Sequence, residues 1–177
     1  ITEGELLQIA FTTKSNVSEA DYFDLINKKT AALFSAACQM GALSVRDDAT
    51  ALQNMSGFGE NYGIAFQIMD DLLDYLGDTH TLGKPTGNDL REGKVTLPLI
   101  HALSTAHADA CAEILSVLER GVESSEEIAS IVKFISTYSG VDYALSEAKK
   151  YAARALEFLQ SYPDSPAKKS LIELVDH

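Results

Sequence analysis

The sequence predicts an all-α protein, an antiparallel helix bundle forming a single domain over residues 1–177. Three observations predict it. Apolar residues recur at three- and four-residue spacing along most of the chain, and no apolar–polar alternation lasts long enough for a strand. Helix-start signatures precede the periodic runs at Ser18–Asp21 and Ser124–Glu127. The connections are short, which favours antiparallel neighbours.

The first helix is expected from Gly4 to Thr13. Ser18, three residues before Asp21, starts a second, on which Tyr22, Ile26, Leu33 and Ala37 fall at helical spacing. Asp48 opens a long helix to about Leu76, with Gly57 and Gly59 as its expected break points. Gly59-x-x-x-Gly63 has the polar interior Glu60, Asn61 and Tyr62, so it reads as close packing in a soluble helix. Gly77 to Lys94 holds four of the eleven glycines together with Pro85, and reads as a loop. Thr96 is expected to cap a helix with Pro98 in its first turn, running to about Arg120. Ser124-x-x-Glu127 is a capping box for a helix carrying Ile128, Ile131, Val132 and Ile135. A further helix runs from about Val141 to Ser161. Tyr162 to Pro166 is a turn, and a short helix ends the chain.

Apolar residues make up 46% of the chain and charged residues 23%, which excludes a disordered chain. Cys38 and Cys111 have no local partner, which excludes a disulfide scaffold and a cysteine zinc module. The net charge is 14 − 26 = −12, which disfavours nucleic acid as a partner. The uncharged window Thr30–Val45 has 16 residues, several of them polar, short of the ~20 apolar residues a bilayer requires. No transmembrane segment and no signal peptide are expected. Ile1 stands where Met would open a chain, and Thr2-Glu3-Gly4-Glu5 reads as mid-chain sequence, so a piece of a longer protein is expected.

The most informative stretch is Gly63 to Asp74. On a helix, Phe58, Tyr62, Ala65, Met69, Leu72 and Leu76 form one apolar face, and Gln67, Asp70, Asp71 and Asp74 fall opposite. Asp70 and Asp74 are neighbours with Cβ atoms about 5–6 Å apart, an unfavourable placement for like charges. The helix N-terminus is too distant to relieve them. A divalent cation would, and hard oxygens suit Mg²⁺, which takes one or two carboxylates plus water and phosphate. Alone, the pattern fits an exposed acidic face equally well.

The basic residues add to it. Lys29 lies between Ile26 and Leu33 on the apolar stripe of its helix, where it needs a negative partner or must snorkel to water. Lys28 instead pairs with Asp24 on the solvent face. Lys84 and Lys94 sit beside glycines that let backbone approach an anion, although a solvated loop would look the same. Carboxylates, a glutamine and lysines around one loop describe a Mg²⁺–diphosphate site. His80, His101, His107 and His177 have no partner at metal-ligand spacing. Cys38 reads as a small core residue. Asp47-Asp48 lacks a third carboxylate and reads as a helix start.

Phe66-Gln67-Ile68-Met69-Asp70-Asp71-Leu72-Leu73-Asp74 resembles the second aspartate-rich motif of the trans-isoprenyl diphosphate synthases. Gly83-Lys84-Pro85-Thr86-Gly87-Asn88-Asp89 and Glu92-Gly93-Lys94-Val95-Thr96-Leu97-Pro98 resemble the loop that follows it in that family. Gly4-Glu5-Leu6-Leu7-Gln8, Lys29-Thr30-Ala31 and the tail from Tyr138-Ser139-Gly140 to Ala155 are similar to further family signatures. The resemblance covers essentially the whole chain, and its wording is nearest the bacterial long-chain synthases of the octaprenyl type. The family's earlier aspartate-rich motif, with its paired arginines, and its basic site for isopentenyl diphosphate have no counterpart here. The chain therefore resembles the C-terminal half of such an enzyme.

The resemblance implies an isoprenoid synthase fold and a Mg²⁺-dependent head-to-tail condensation of an allylic diphosphate with isopentenyl diphosphate, giving a polyprenyl diphosphate. It implies that Asp70, Asp71 and Asp74 hold metal, and that Lys29, Lys84 and Lys94 bind the allylic diphosphate. Thr30 and Gln67 would offer oxygen dipoles to the developing cation. A cytoplasmic homodimer is implied for the full-length enzyme, with this chain alone inactive. Two other readings stay open: a non-catalytic binding subunit that completes a partner, and a helical divalent-metal module unrelated to isoprenoids.

Overall fold

The computed structural model describes residues 1–12, 17–45, 48–76 and 87–176, and every element among them is a helix. In chain order these are α1 (Thr2–Thr12), α2 (Glu19–Ile26), a π turn (Asn27–Ala31), α3 (Ala32–Leu43) and α4 (Ala49–Leu76). There follow α5 (Asn88–Arg91), α6 (Leu97–Thr105), α7 (Ala108–Arg120), α8 (Ser125–Thr137), α9 (Gly140–Glu157) and α10 (Pro166–Asp176). None of the described helices is long and apolar enough to cross a membrane.

Helix α4 is the axis of the fold, packed along α3 on one side and α9 on another. Both neighbours run antiparallel to it. A Cβ at Gly63 would meet Ala31, one at Gly59 would meet Phe34 and Ser35, and Ser56 bonds Ser35, so α3 descends as α4 climbs. On the other side Gly57 meets Phe158 and Asn54 bonds Ser161, at the far end of α9. The Gly59/Gly63 spacing is thus close helix packing, as expected. The anticipated break at Gly57 and Gly59 does not occur, because both glycines serve contact rather than bending.

Local signals hold at several starts. The Ser18 Oγ accepts the Asp21 N–H at 3.1 Å, and Asp21 Oδ2 accepts the Ser18 N–H at 3.0 Å. Asp48 Oδ1 accepts the Thr50 N–H at 2.9 Å and starts α4. Glu127 Oε2 accepts the N–H groups of Ser124 and Glu123, while Ser124 Oγ accepts that of Glu127. Ser124→Ala should cost ~1 kcal/mol in urea unfolding; an unchanged midpoint would show that this box adds nothing.

Three expectations are corrected. The helix from Thr96 stops at Thr105, because the Ser104 and Thr105 hydroxyls donate to the His101 carbonyl and Ala106 turns extended (ψ 157°). The stripe through Leu33 and Ala37 does not exist: Leu33 is 55% exposed and Ala37 is exposed too. The buried ladder runs Tyr22, Ile26, Ala31, Ser35. Its five-residue step crosses the π turn, whose extra residue rotates everything after it. On α4, Phe58, Ala65 and Leu72 are buried as expected, but Met69 and Leu76 are exposed and Asp71 is only 6% exposed. The buried arc passes through Ile64, Ile68, Asp71 and Tyr75. Ile64 and Ile68 share a core with Tyr22 and Ile26 of α2, and Tyr22 also bonds Asp71. Tyr75 packs with Leu90, Leu99 and Ile131 of α5, α6 and α8.

Candidate functional site

The π turn carries Lys29 and Thr30. Mid-helix π turns re-aim side chains and recur at functional sites. Helix α1 presses on this one: a Cβ at Gly4 would lie 2.6 Å from the Lys29 Cα. Asn27 Nδ2 ties the turn to Glu60 Oε1 of α4 at 2.9 Å. The partners that Lys29 requires come from α1, where its Nζ donates to Gln8 Oε1 and lies 3.8 Å from Glu5 Oε1. Lys28 pairs with Asp24, as expected, and also with Glu3.

A cavity of about 260 Å³ opens between this turn, α1, α2 and α4. Lys29, Gln67, Asp70, Asp71 and Lys94 line it, five of the residues singled out in the sequence. Thr30 joins through Gln67: its Oγ1 donates to Gln67 Oε1 at 2.6 Å. The Gln67 amide then donates through Nε2 to Asp71 Oδ1 at 2.8 Å and, more loosely, to Asp70 Oδ2 at 3.4 Å. Tyr22 OH donates to the other Asp71 oxygen at 2.7 Å.

The carboxylates occupy three different surroundings. Asp70 is exposed and has no cationic partner among the described residues. Asp71 is buried, and burial pushes its pKa up to about 7; hydrogen bonds from Tyr22 and Gln67 pull it down, and the charges of Asp89 and Asp70 push it further up. Asp74 does not line the cavity. Its Oδ1 and Oδ2 accept the N–H groups of Asn88 and Asp89 at 3.1 and 3.0 Å. Burial raises its pKa, against those amide bonds.

Lys94 Nζ meets Asp89 Oδ1 and Glu92 Oε2, each at 2.8 Å. Burial works against its charge, but these two hydrogen bonds outweigh it and raise the pKa. Lys84 lies outside the described residues. Thr96 precedes α6 as expected, yet its hydroxyl pairs with Tyr75 OH at 2.7 Å rather than capping the helix. His101 stacks on Tyr143 with ring centroids 3.9 Å apart, a packing role.

Among the described residues no three His, Cys, Asp or Glu side chains gather into a ready-made ligand set. The donor chemistry nonetheless fits Mg²⁺, which needs one or two carboxylates and fills its remaining positions with water and phosphate. Asp70 offers an open carboxylate, and Asp71 and Asp89 add negative charge beside it. Sequence reasoning missed Tyr22, Gln8 and Asp89. Tyr22 looks like any core aromatic, and its partner Asp71 is 49 residues away. Gln8 and Asp89 lie within quoted signatures, but no local spacing ties either to a lysine.

Known proteins resemble this chain in sequence and in fold. The sequence profile of the Polyprenyl synthetase family matches residues 1–135. An octaprenyl diphosphate synthase of Haemophilus influenzae is 36% identical over 98% of this chain and 53% of its own length. A geranylgeranyl diphosphate synthase of Sulfolobus acidocaldarius is 40% identical over 95% of this chain and 52% of its own. The crystal structure of a polyprenyl synthase from Caulobacter crescentus, in complex with calcium and isoprenyl diphosphate, superposes with a TM-score of 0.92 at 37% identity. It covers 99% of this chain and 53% of that one. The chain spans about half the length of these relatives and matches their C-terminal half. With most of its length matched and its cavity built from the motif residues, the chain belongs to the polyprenyl synthetase family.

Proposed function

We propose that this chain supplies the metal-and-diphosphate side of a prenyltransferase that joins an allylic diphosphate to isopentenyl diphosphate. The supporting observation is that Lys29, Gln67, Asp70, Asp71 and Lys94, drawn from separate segments, line one cavity. Asp70 would hold Mg²⁺ directly, with Asp71 beside it. Bound Mg²⁺ would take up charge on the departing diphosphate. Lys29 and Lys94 would hold the allylic diphosphate by charge, with Lys84 as a third cation. Thr30 hydrogen-bonds to Gln67, which lines the cavity, and oxygen dipoles of this pair would stabilise a developing cation there. The calcium and isoprenyl diphosphate in the Caulobacter relative favour this reading over a metal module without a diphosphate. The proposal extends to a cytoplasmic homodimer for the complete enzyme and to inactivity of these residues on their own.

Thermal unfolding with Mg²⁺, with pyrophosphate and with both tests it. A ligand at about 100 times its Kd stabilises by about 2.7 kcal/mol if it binds only the folded state. Stabilisation should be greater with both ligands than with Mg²⁺ alone and should vanish in Asp70→Ala. Equal stabilisation by Mg²⁺ alone would favour a plain metal module, and no shift in any mixture would remove the reading.

A further inference from the structure

We infer that Asp74 is a positioning residue, which holds α5 against the end of α4 and thereby sets where Asp89 presents Lys94 to a diphosphate. The inference rests on the function proposed above and deepens it. It departs from the metal-holding role that the family resemblance implies for this aspartate.

Three consecutive amides converge on Asp74. The N–H of Gly87 donates to its carbonyl at 2.9 Å, and those of Asn88 and Asp89 donate to its two carboxylate oxygens. Gly87 makes the approach possible: its φ is +78°, and a Cβ there would lie 2.5 Å from Ile128 Cγ2. Helix α5 has four residues and cannot sustain itself, since a first turn fixes several dihedrals for one hydrogen bond. Its leading N–H groups need acceptors from outside, and Asp74 provides two of them.

What α5 carries explains why this matters. Asp89 donates its amide N–H to Asp74 and accepts a hydrogen bond from Lys94 Nζ on its carboxylate at 2.8 Å. The Lys94 N–H also donates to the Asp89 carbonyl at 2.9 Å. Lys94 and Asp89 line the cavity; Asp74 does not. The chain of contacts thus runs from Asp74 through the α5 backbone to Asp89 and the Lys94 ammonium. Without the cap, Lys94 would keep its charge and lose its place.

Calorimetric titration of the 177-residue chain with MgCl₂ alone, and with inorganic pyrophosphate at saturating Mg²⁺, separates the two roles. Asp74→Ala should weaken pyrophosphate binding about tenfold, the loss of one charge-assisted hydrogen bond. Lys94→Ala should do the same, and the double variant should be no weaker than either, because the two act through one contact. Affinity for Mg²⁺ alone should fall in Asp70→Ala and not in Asp74→Ala. Asp74→Asn keeps one acceptor oxygen and should give an intermediate loss in a chain with unchanged helical circular dichroism. Amide exchange at Asn88 and Asp89 should speed up in both Asp74 variants. A loss of Mg²⁺ affinity in Asp74→Ala equal to that in Asp70→Ala would overturn the inference, as would multiplying effects of Asp74→Ala and Lys94→Ala. If the unmodified chain binds neither ligand, the proposed function falls. The amide exchange then still decides the cap, and unchanged protection would overturn it.

Discussion

Metal-free protein should lose stability as the pH rises from about 4 to about 7, and Asp71→Asn should remove most of that loss. In the folded chain burial lifts this carboxyl from the ordinary 3.8 to about 7, against the hydrogen bonds from Tyr22 and Gln67. Between those values the folded chain binds a proton that the unfolded chain does not. Stability therefore falls with rising pH across that window, and above it both states are ionised and the full cost of the buried charge is present. The gap is worth roughly 4 kcal/mol at about 1.4 kcal/mol per pKa unit. Urea unfolding in a chelator at about pH 4.5 and about pH 8 measures it. Burial also lifts Asp74 in the same direction, while Lys94 lowers Glu92 and the Glu123 amide lowers Glu127. All three remain in both proteins, so the difference between variant and wild type isolates Asp71. Parallel curves for the two would sink the prediction. The functional sense is electrostatic: a buried carboxylate beside Asp70 and Asp89 costs stability unpaired and gains from an arriving cation.

The parts of this molecule legible in sequence are those set locally or by residue type. Ser18 with Asp21 and Ser124 with Glu127 declare helix starts because each box closes within three residues. Asp70, Asp71 and Asp74 stand out because like charges at such spacing repel on a bare helix and gain from a cation, the more so with lysines around the loop that follows. The π turn was not legible. Nothing in Asn27-Lys28-Lys29-Thr30-Ala31 departs from helical residues, so regular helical spacing carries the stripe on to Leu33 and Ala37, out of phase with the buried ladder. The burial of Asp71 was hidden for a different reason. It depends on Tyr22, an aromatic that periodicity assigns to the core, and only the packing of α2 on α4 reveals its hydroxyl as a polar partner. The three fates of Asp70, Asp71 and Asp74 likewise follow from what covers each position, which four-residue spacing cannot express.

Gly63→Val should cost about 3 kcal/mol or more in urea unfolding and abolish binding of Mg²⁺ with pyrophosphate in whatever still folds. A Cβ at Gly63 would lie 2.6 Å from the Ala31 Cα, and one at Gly4 would lie 2.6 Å from the Lys29 Cα. The π turn is therefore gripped between two glycines, one on α4 and one on α1. The obstructing atoms are backbone, which cannot swing aside as a side-chain tip would, so the added methyls must push the turn from α4. That displacement acts on the residues the cavity needs. Thr30 would lose its 2.6 Å bond to Gln67, and Lys29 its place beside Gln8. A control separates packing from position. At Gly41 a Cβ would meet nothing within 4 Å, so Gly41→Ala on α3, the helix that continues from the π turn, should leave binding intact and, at an exposed helix position, stabilise by up to about 1 kcal/mol. A Gly63→Val chain of wild-type stability would show that the helices part without cost. A destabilised chain that still binds both ligands would show that the grip on the π turn does not set the site.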